Sequence, residues 1–370
     1  MTLINFLSRV HFADGVLEIA LSAELERNNL TRPVLVWERE LVSSGFSERV
    51  LDGLPFWCEP QFFEIPNRVN RQKNISRLQS LVDESDADVV IGFGSSYALS
   101  IANAYHPHSA KNRSANKQEH TRPIKHTFAI PGIDGVPTLS NTPGSGQGSR
   151  LSPIESGIQP SAVIIDVTLM GGESIERKAS AVAKAIARCL SAQFSAGFNP
   201  PADGIALDGI KRIVQNITTL ITDDSLDMRR ELMAASLNGT LAMPITFGLA
   251  HELRDLIKTT QHSSIDDGAL LRLLIIVEAE LIERSLSERR SVELRSVLGV
   301  PKELQIHRWL TEILEILPLP ASLEELGIEV ERLESVVRDV ATSNASIVPS
   351  AALLLEKMTT LDLSSSKVVC

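Results

Sequence analysis

Short apolar runs of β-formers alternate with helix-like segments through the first half of the chain. Pro33-Val34-Leu35-Val36-Trp37 follows a helical segment from Leu17 to Asn28, and Phe62-Phe63-Glu64-Ile65 is a second run. Ile75, Leu78, Leu81 and Val82 recur at helical spacing, which predicts a helix over 75–82. Asp88 to Ile91 is an apolar strand running into Gly92-Phe93-Gly94. Tyr97 to Ala104 carries no helix breaker and predicts the helix after it. Thr127–Ile130 and Ala162–Asp166 read as further strands. This order predicts a parallel, Rossmann-like α/β sheet.

Two stretches interrupt the alternation. Residues 105–126 are rich in His, Asn, Lys, Arg and Ser, among them His106, His108, His120 and His126. They read as a solvated loop, and ordering it around a metal would cost entropy. Residues 131–160 are Gly/Pro/Ser-rich and also read as loop. From about Ser174 the pattern turns helical: Ala179–Phe194, Ala206–Ile221, a helix from Arg229 to Leu241, Leu270–Leu286, Leu310–Leu317 and Leu323–Val340. The predicted architecture is an α/β domain over 1–170 and an all-α domain over 171–370. Trp57 and Trp309 are expected in the core or an interface.

Composition narrows the function classes. With 43% hydrophobic and 22% charged residues the chain is ordinarily globular. Its 46 acidic against 36 basic residues give a net charge of −10, which disfavours nucleic acid or a membrane surface as partner. No apolar stretch is long enough to span a bilayer, and the N-terminal run is too short for a signal peptide. Cys58, Cys189 and Cys370 match neither a metal-ligand spacing nor a disulfide framework, so a reduced, cytoplasmic setting is expected.

Several motifs, in order, resemble those of the iron-containing alcohol dehydrogenases, in the wider superfamily with dehydroquinate synthase and glycerol dehydrogenase. Phe12-Ala13-Asp14-Gly15 is similar to the family's opening FGxG, and Gly92-Phe93-Gly94-Ser95 to its GGGS. Val36-Trp37-Glu38 stands where its second strand ends. Pro137-Thr138-Leu139-Ser140 with Gly144-Ser145 resembles its Pro-Thr…Gly-Ser loop, and Val163-Ile164-Ile165-Asp166 its IIDP strand. Asn199-Pro200 with Asp203 resembles ANP…D, and Leu319-Pro320…Leu323 to Gly327 resembles LP..L.ELG.

The resemblance implies a nicotinamide cofactor held by Glu38, Gly92, Gly94, Ser95, Ser96, Thr138 and Leu139. Glycines ahead of a helix N-terminus let backbone N–H groups meet a pyrophosphate. Glu38 could accept from a ribose diol and would repel a 2′-phosphate, which favours NAD over NADP. Phe93 replaces the family's second glycine, and Ala98 and Ile101 replace its following Asp and Lys.

The family holds a divalent metal with one Asp and three His. Counting without gaps from Asn199-Pro200 puts these positions at Lys184, Arg188, His251 and Ile265, with His262 three residues from the last. Two cations and an aliphatic side chain cannot supply the convergent donors a metal needs, so no metal is expected. Lys184 and Arg188 are instead expected to polarise a substrate oxygen, and His251, oriented by Asp255, to act as acid/base. The implied activity is reduction of a carbonyl or enone on a small anionic substrate, as in the family's maleylacetate reductases, by a homodimer. The alternative is an inactive family member that persists as a binding protein.

Overall fold

The computed structural model describes residues 9–39, 45–66, 70–104, 126–136, 160–195, 197–242, 248–260 and 265–329. Two compact units divide the chain, one built on the sheet and ending at Glu173, the other beginning at Ser174.

Six strands form one parallel sheet: β1 (Val10–Ala13), β2 (Pro33–Glu38), β3 (Gln61–Ile65), β4 (Val89–Gly94), β5 (His126–Pro131) and β6 (Ala162–Asp166), in the order β1-β6-β5-β4-β2-β3. Helices α1 (Leu17–Arg27), α2 (Phe46–Asp52), α3 (Arg71–Glu84) and α4 (Ser96–Asn103) connect the early strands. Both sheet faces are covered, and β4 shows how. Val89, Ile91 and Phe93 join a core with Leu17, Leu21 and Leu25 of α1. Val90 joins Ile75, Leu78 and Ile101 of α3 and α4 on the other face. A strand buried on both sides needs an unbroken apolar run, and VVIGFG is one. From β2 the chain steps outward to β3 and returns on β2's other side as β4. The carboxyl ends of β2 and β4 therefore flank the topological switch point, where open α/β sheets bind ligands.

The second unit is helical: α5 (Ile175–Phe194), α6 (Pro200–Thr222), α7 (Leu226–Ala242), α8 (Leu249–Thr260), α9 (Asp267–Ile282), α10 (Glu288–Leu298) and α11 (Ile306–Glu315). Every residue of α5 from Lys178 to Phe194 is buried, and every residue of α9 from Gly268 to Ala279. The two helices touch where a Cβ on Gly268 would come within 2.3 Å of the Ser180 carbonyl.

Some elements differ from expectation. β1 and the seven-residue α2 carry too few residues for a clear period. The segment 270–286 is not an amphipathic helix: α9 is enclosed on all sides and gives way to a tight turn at Glu283–Ser285. In place of a helix from Leu323, Ser322–Gly327 makes one turn and ends at Gly327 with φ +68°. Residues 330–340, and the polar loop as far as residue 125, lie outside the described residues. The charges opening α7 are not simply solvated, since Glu231 pairs with Arg212 of α6 at 2.7 Å and Arg229 with Asp224 at 2.6 Å. Trp57 is exposed beside Phe56, whereas Trp309 is half-buried and donates to the Leu298 carbonyl.

Gly92 faces α4 so closely that a Cβ there would sit 2.6 Å from the Ala102 Cβ. Gly92→Ala is expected to lower stability by about 1–3 kcal/mol through overpacking, read as a lower urea midpoint with unchanged m-value.

Candidate functional site

At the switch point, Gly94 takes φ +94°, a conformation open chiefly to glycine. Its carbonyl accepts from the Gly132 N–H at 2.6 Å. Ser95 caps α4, its hydroxyl accepting from the Ala98 N–H at 3.3 Å while donating to the Glu38 carboxylate. The Ser96 hydroxyl donates to the Asp134 carbonyl. Glu38, Gly92, Gly94, Ser95 and Ser96 are thus brought together, whereas Thr138 and Leu139 lie outside the described residues. Phe93 does not crowd the turn. Its ring faces the core, stacked on Trp37 with centroids 5.4 Å apart, because alternation sends it opposite to Gly92 and Gly94. A left-handed glycine, a glycine without room for a Cβ and a capped helix N-terminus fit a dinucleotide's pyrophosphate.

Asp166, from the IIDP-like strand, is fully buried. It accepts from the N–H groups of Gly15 and Leu17 at 2.9 and 3.1 Å, the Thr168 hydroxyl at 2.6 Å and Arg49 at 3.0 Å. Burial alone would raise its pKa, but the bonds from Thr168, Gly15 and Leu17 outweigh it and hold the carboxyl below its ordinary range. The two family-like motifs at Ala13–Gly15 and Asp166 are therefore one structural joint.

In the helical unit, Lys184, Arg188 and Ser191 follow one another at four- and three-residue steps along α5, so they share a face. All three are buried, as are His251 and Arg254 of α8. His251 has no exposed surface, and its Nδ1 lies 3.1 Å from Ser191 Oγ. Asp255 pairs with Arg254 at 2.5 Å. Ser191 meets the ring of His251, and the Arg254 guanidinium pairs with the Asp255 carboxylate. Asp267, at the start of α9, pairs with Lys258 at 2.5 Å.

Charge dominates this cluster. Burial pushes His251 well below its usual range, and Arg254 and Arg188 push it further, so the imidazole is neutral near pH 7. Burial, helped by Arg254, lowers Arg188 to about 9, which still leaves it charged. Burial raises the Asp255 carboxyl against the pull of Arg254. Burial would raise Asp267 too, but Arg254, Lys258 and Lys184 overcome it and bring its carboxyl to about 2. Lys184, Arg188 and Arg254 are thus buried near the carboxylates of Asp255 and Asp267, and Lys258 reaches Asp267 from the surface.

Because folded Asp267 ionises below its ordinary value of 3.8, its contribution to stability is complete above about pH 4 and vanishes as the pH falls towards 2. Asp267→Asn is expected to cost about 2 kcal/mol at neutral pH. It should also flatten the loss of urea stability between pH 4 and 2; an unchanged acid slope would refute this.

At the four positions where the resemblance would put metal ligands stand Lys184, Arg188, His251 and Ile265. Lys184 and Arg188 bring positive charge, and Ile265 is a buried aliphatic side chain. Among the described residues no group of three or more His, Cys, Asp or Glu side chains is placed to hold an ion. His262 lies outside them.

Sequence reasoning missed Arg254, Asp267, Ser191 and Glu278. Glu278, buried in α9, caps α8 by accepting from the N–H groups of Leu249 at 2.8 Å and Ala250 at 3.3 Å. Only Ser191 gave a signal, by continuing the Lys184–Arg188 face.

The chain thus combines a parallel sheet that has a glycine turn at its switch point with a helical unit. No protein-family model matches the chain. It is 24% identical over 356 residues to a curated 4-hydroxybutyrate dehydrogenase from Cupriavidus necator, covering 91% of this chain and 92% of the relative. The maleylacetate reductase of Rhizobium sp. strain MTP-10005 has the same fold, with a TM-score of 0.75 and 18% identity over 97% of this chain and 99% of that one. So does the sulfoacetaldehyde reductase of Bifidobacterium kashiwanohense solved with NAD+, with a TM-score of 0.78 and 14% identity over 99% and 100%. These likenesses show that the chain has the fold of the iron-containing alcohol dehydrogenase superfamily. Among the described residues no helix is long and apolar enough to cross a membrane.

Proposed function

We propose that the chain is an NAD-dependent oxidoreductase that interconverts an alcohol and a carbonyl on a small anionic substrate and requires no metal. The observation that supports this reading is the set of cations, Lys184, Arg188 and Arg254, buried on the helices that carry His251 and Ser191. Cations in a low-dielectric interior attract negative charge more strongly than in water, which suits an anionic substrate. The relatives agree in kind: 4-hydroxybutyrate, maleylacetate and sulfoacetaldehyde all carry an acid group.

NAD, held by Glu38, Gly92, Gly94, Ser95 and Ser96 with Thr138 and Leu139, would supply or take the hydride. Lys184 and Arg188 hold the substrate oxygen and stabilise its negative charge, the task a Lewis acid performs elsewhere. His251, being neutral, accepts the alcohol proton at Nε2 in the oxidative direction and returns it in the reductive one. The substrate is the expected partner, within a cytoplasmic homodimer.

Fluorescence titration with NADH and NADPH, followed by NAD+-dependent oxidation of 4-hydroxybutyrate in the presence of a chelator, tests the reading. Expected are tighter binding of NADH than NADPH and turnover that survives chelation. Absence of binding at millimolar concentrations of either nucleotide would leave the inactive binding protein as the surviving alternative. Stoichiometric iron or zinc that is lost on His251→Ala would overturn metal independence.

A further inference from the structure

We propose that Arg254 binds the acid group of the substrate, taking a carboxylate on its Nη1–Nη2 edge while the reacting oxygen lies one helical turn away at His251. This rests on the reading of the chain as an oxidoreductase of small anionic substrates and specifies which side chain selects the anion.

A guanidinium is a planar fork of five N–H donors that matches the two oxygens of a carboxylate. In Arg254 the fork is half used. Nε donates to Oδ1 of Asp255 at 2.8 Å, and Nη2 lies 2.5 Å from the same oxygen. That pairing occupies the side-on edge. The end-on edge, made by Nη1 and the second Nη2 hydrogen, meets no acceptor among the described residues. The side chain is nevertheless withdrawn from water, since Arg254 is only 7% exposed. A buried donor edge without an acceptor costs free energy, and a carboxylate would satisfy both its donors at once.

The position on α8 suits this task. Arg254 follows His251 by three residues, so the two share a helix face at about 4.5 Å along the axis. The 3.1 Å contact between Ser191 and His251 brings that face against the α5 face that carries Lys184 and Arg188. A short hydroxy acid can thus lay its oxygen at Lys184, Arg188 and His251 and its carboxylate at Arg254. Asp255 already holds the side-on edge, so the fork loses little freedom when the anion arrives. Asp255 and Asp267 would repel a second carboxylate. Lys184 and Arg188 are buried against that repulsion, and Lys258 pairs with Asp267 at 2.5 Å. A site that presents buried donors discriminates against an analogue that cannot fill them, so the uncharged alcohol should be the poorer substrate.

Butyrate has the acid group and no oxygen to oxidise, and 1-butanol has the reverse. Calorimetric titration of the full-length protein with butyrate, without nucleotide, tests the assignment. Expected is binding to the wild type that Arg254→Gln weakens by about 10- to 100-fold, the range for hydrogen bonds to a charged group. Arg254→Lys should fall between, because it keeps the charge without the fork. It also keeps a cation beside Asp255, so it serves where the glutamine variant fails to fold. Absence of butyrate binding to the wild type at ~10 mM, or equal affinity in the wild type and the lysine variant, would overturn the proposal. Because the titration needs no nucleotide, the two readings fail separately. Arginine-dependent butyrate binding in a protein that takes up neither NADH nor NADPH would sink the oxidoreductase and leave the carboxylate site. NADH binding with butyrate affinity indifferent to residue 254 would do the reverse. Where 4-hydroxybutyrate is turned over, Arg254→Lys should lower its kcat/KM relative to that of 1-butanol by about tenfold. A merely structural arginine would lower both alike.

Discussion

Arg272→Met is expected to cost the helical unit about 3–5 kcal/mol, the range for leaving buried partners of a charge unsatisfied. Arg272 lies mid-helix in α9 with its side chain fully buried. Its guanidinium donates to the carbonyls of Leu314 at 3.2 Å, Leu317 at 3.0 Å and Leu319 at 2.9 Å, and to that of Pro320. Leu314 belongs to the last turn of α11, where carbonyls lack helical partners and negative partial charge gathers. One planar fork therefore closes a helix end and the turn after it. Burial lowers Arg272 to about 10, with Glu325 and Glu315 pulling the other way, so the charge persists at neutral pH. Methionine would fill much of the volume and satisfy none of the four oxygens. Lysine keeps the charge but not the fork, so Arg272→Lys should recover only part of the loss. Urea unfolding at pH 7 measures both; a loss under about 1 kcal/mol for methionine would show that water replaces the guanidinium.

The same residue marks where the sequence was legible and where it was not. Leu319-Pro320…Gly327 stands out as a family-like motif, yet its function in the fold is to be held by Arg272, about fifty positions earlier. An arginine among leucines reads as the polar edge of an amphipathic helix. Only packing on all sides of α9 turns that edge inward. The sheet was easier, because a parallel strand buried on both faces must be apolar throughout, and VVIGFG, AVIID and PVLVW can be nothing else for long. Phe93 looked like damage to a glycine loop. Strand alternation places it in the core, so the loop is less eroded than its letters suggest. The cationic cluster was half legible. Lys184 and Arg188 followed from the resemblance, counted back from Asn199-Pro200, whereas Arg254, Asp267 and Glu278 act through contacts between helices that no local period encodes. Asp255 was expected beside His251 from their helical spacing, and its carboxylate also pairs with the neighbouring Arg254.

Arg188→Met should separate activity from stability. If Arg188 holds charge on the substrate oxygen, its loss should lower kcat/KM by about 10²–10³-fold, the range for removing one oxyanion donor. Stability should change less than activity. Burial and Arg254 depress Arg188 while Asp255 and Asp267 attract it, so methionine removes a desolvation penalty and a repulsion together with two attractions. His251 should respond as well, because Arg188 is one of the two cations pushing its ring away from protonation. Its pKa is expected to rise while remaining below the usual value, since burial and Arg254 persist. A structural arginine would behave oppositely: the variant would lose stability, and activity would fall with the folded fraction. Arg188→Lys discriminates further, because a point charge can still stabilise an alkoxide and should keep more activity than methionine. Full activity in the methionine variant would remove Arg188 from the reaction and leave Lys184 as the candidate group for the substrate oxygen.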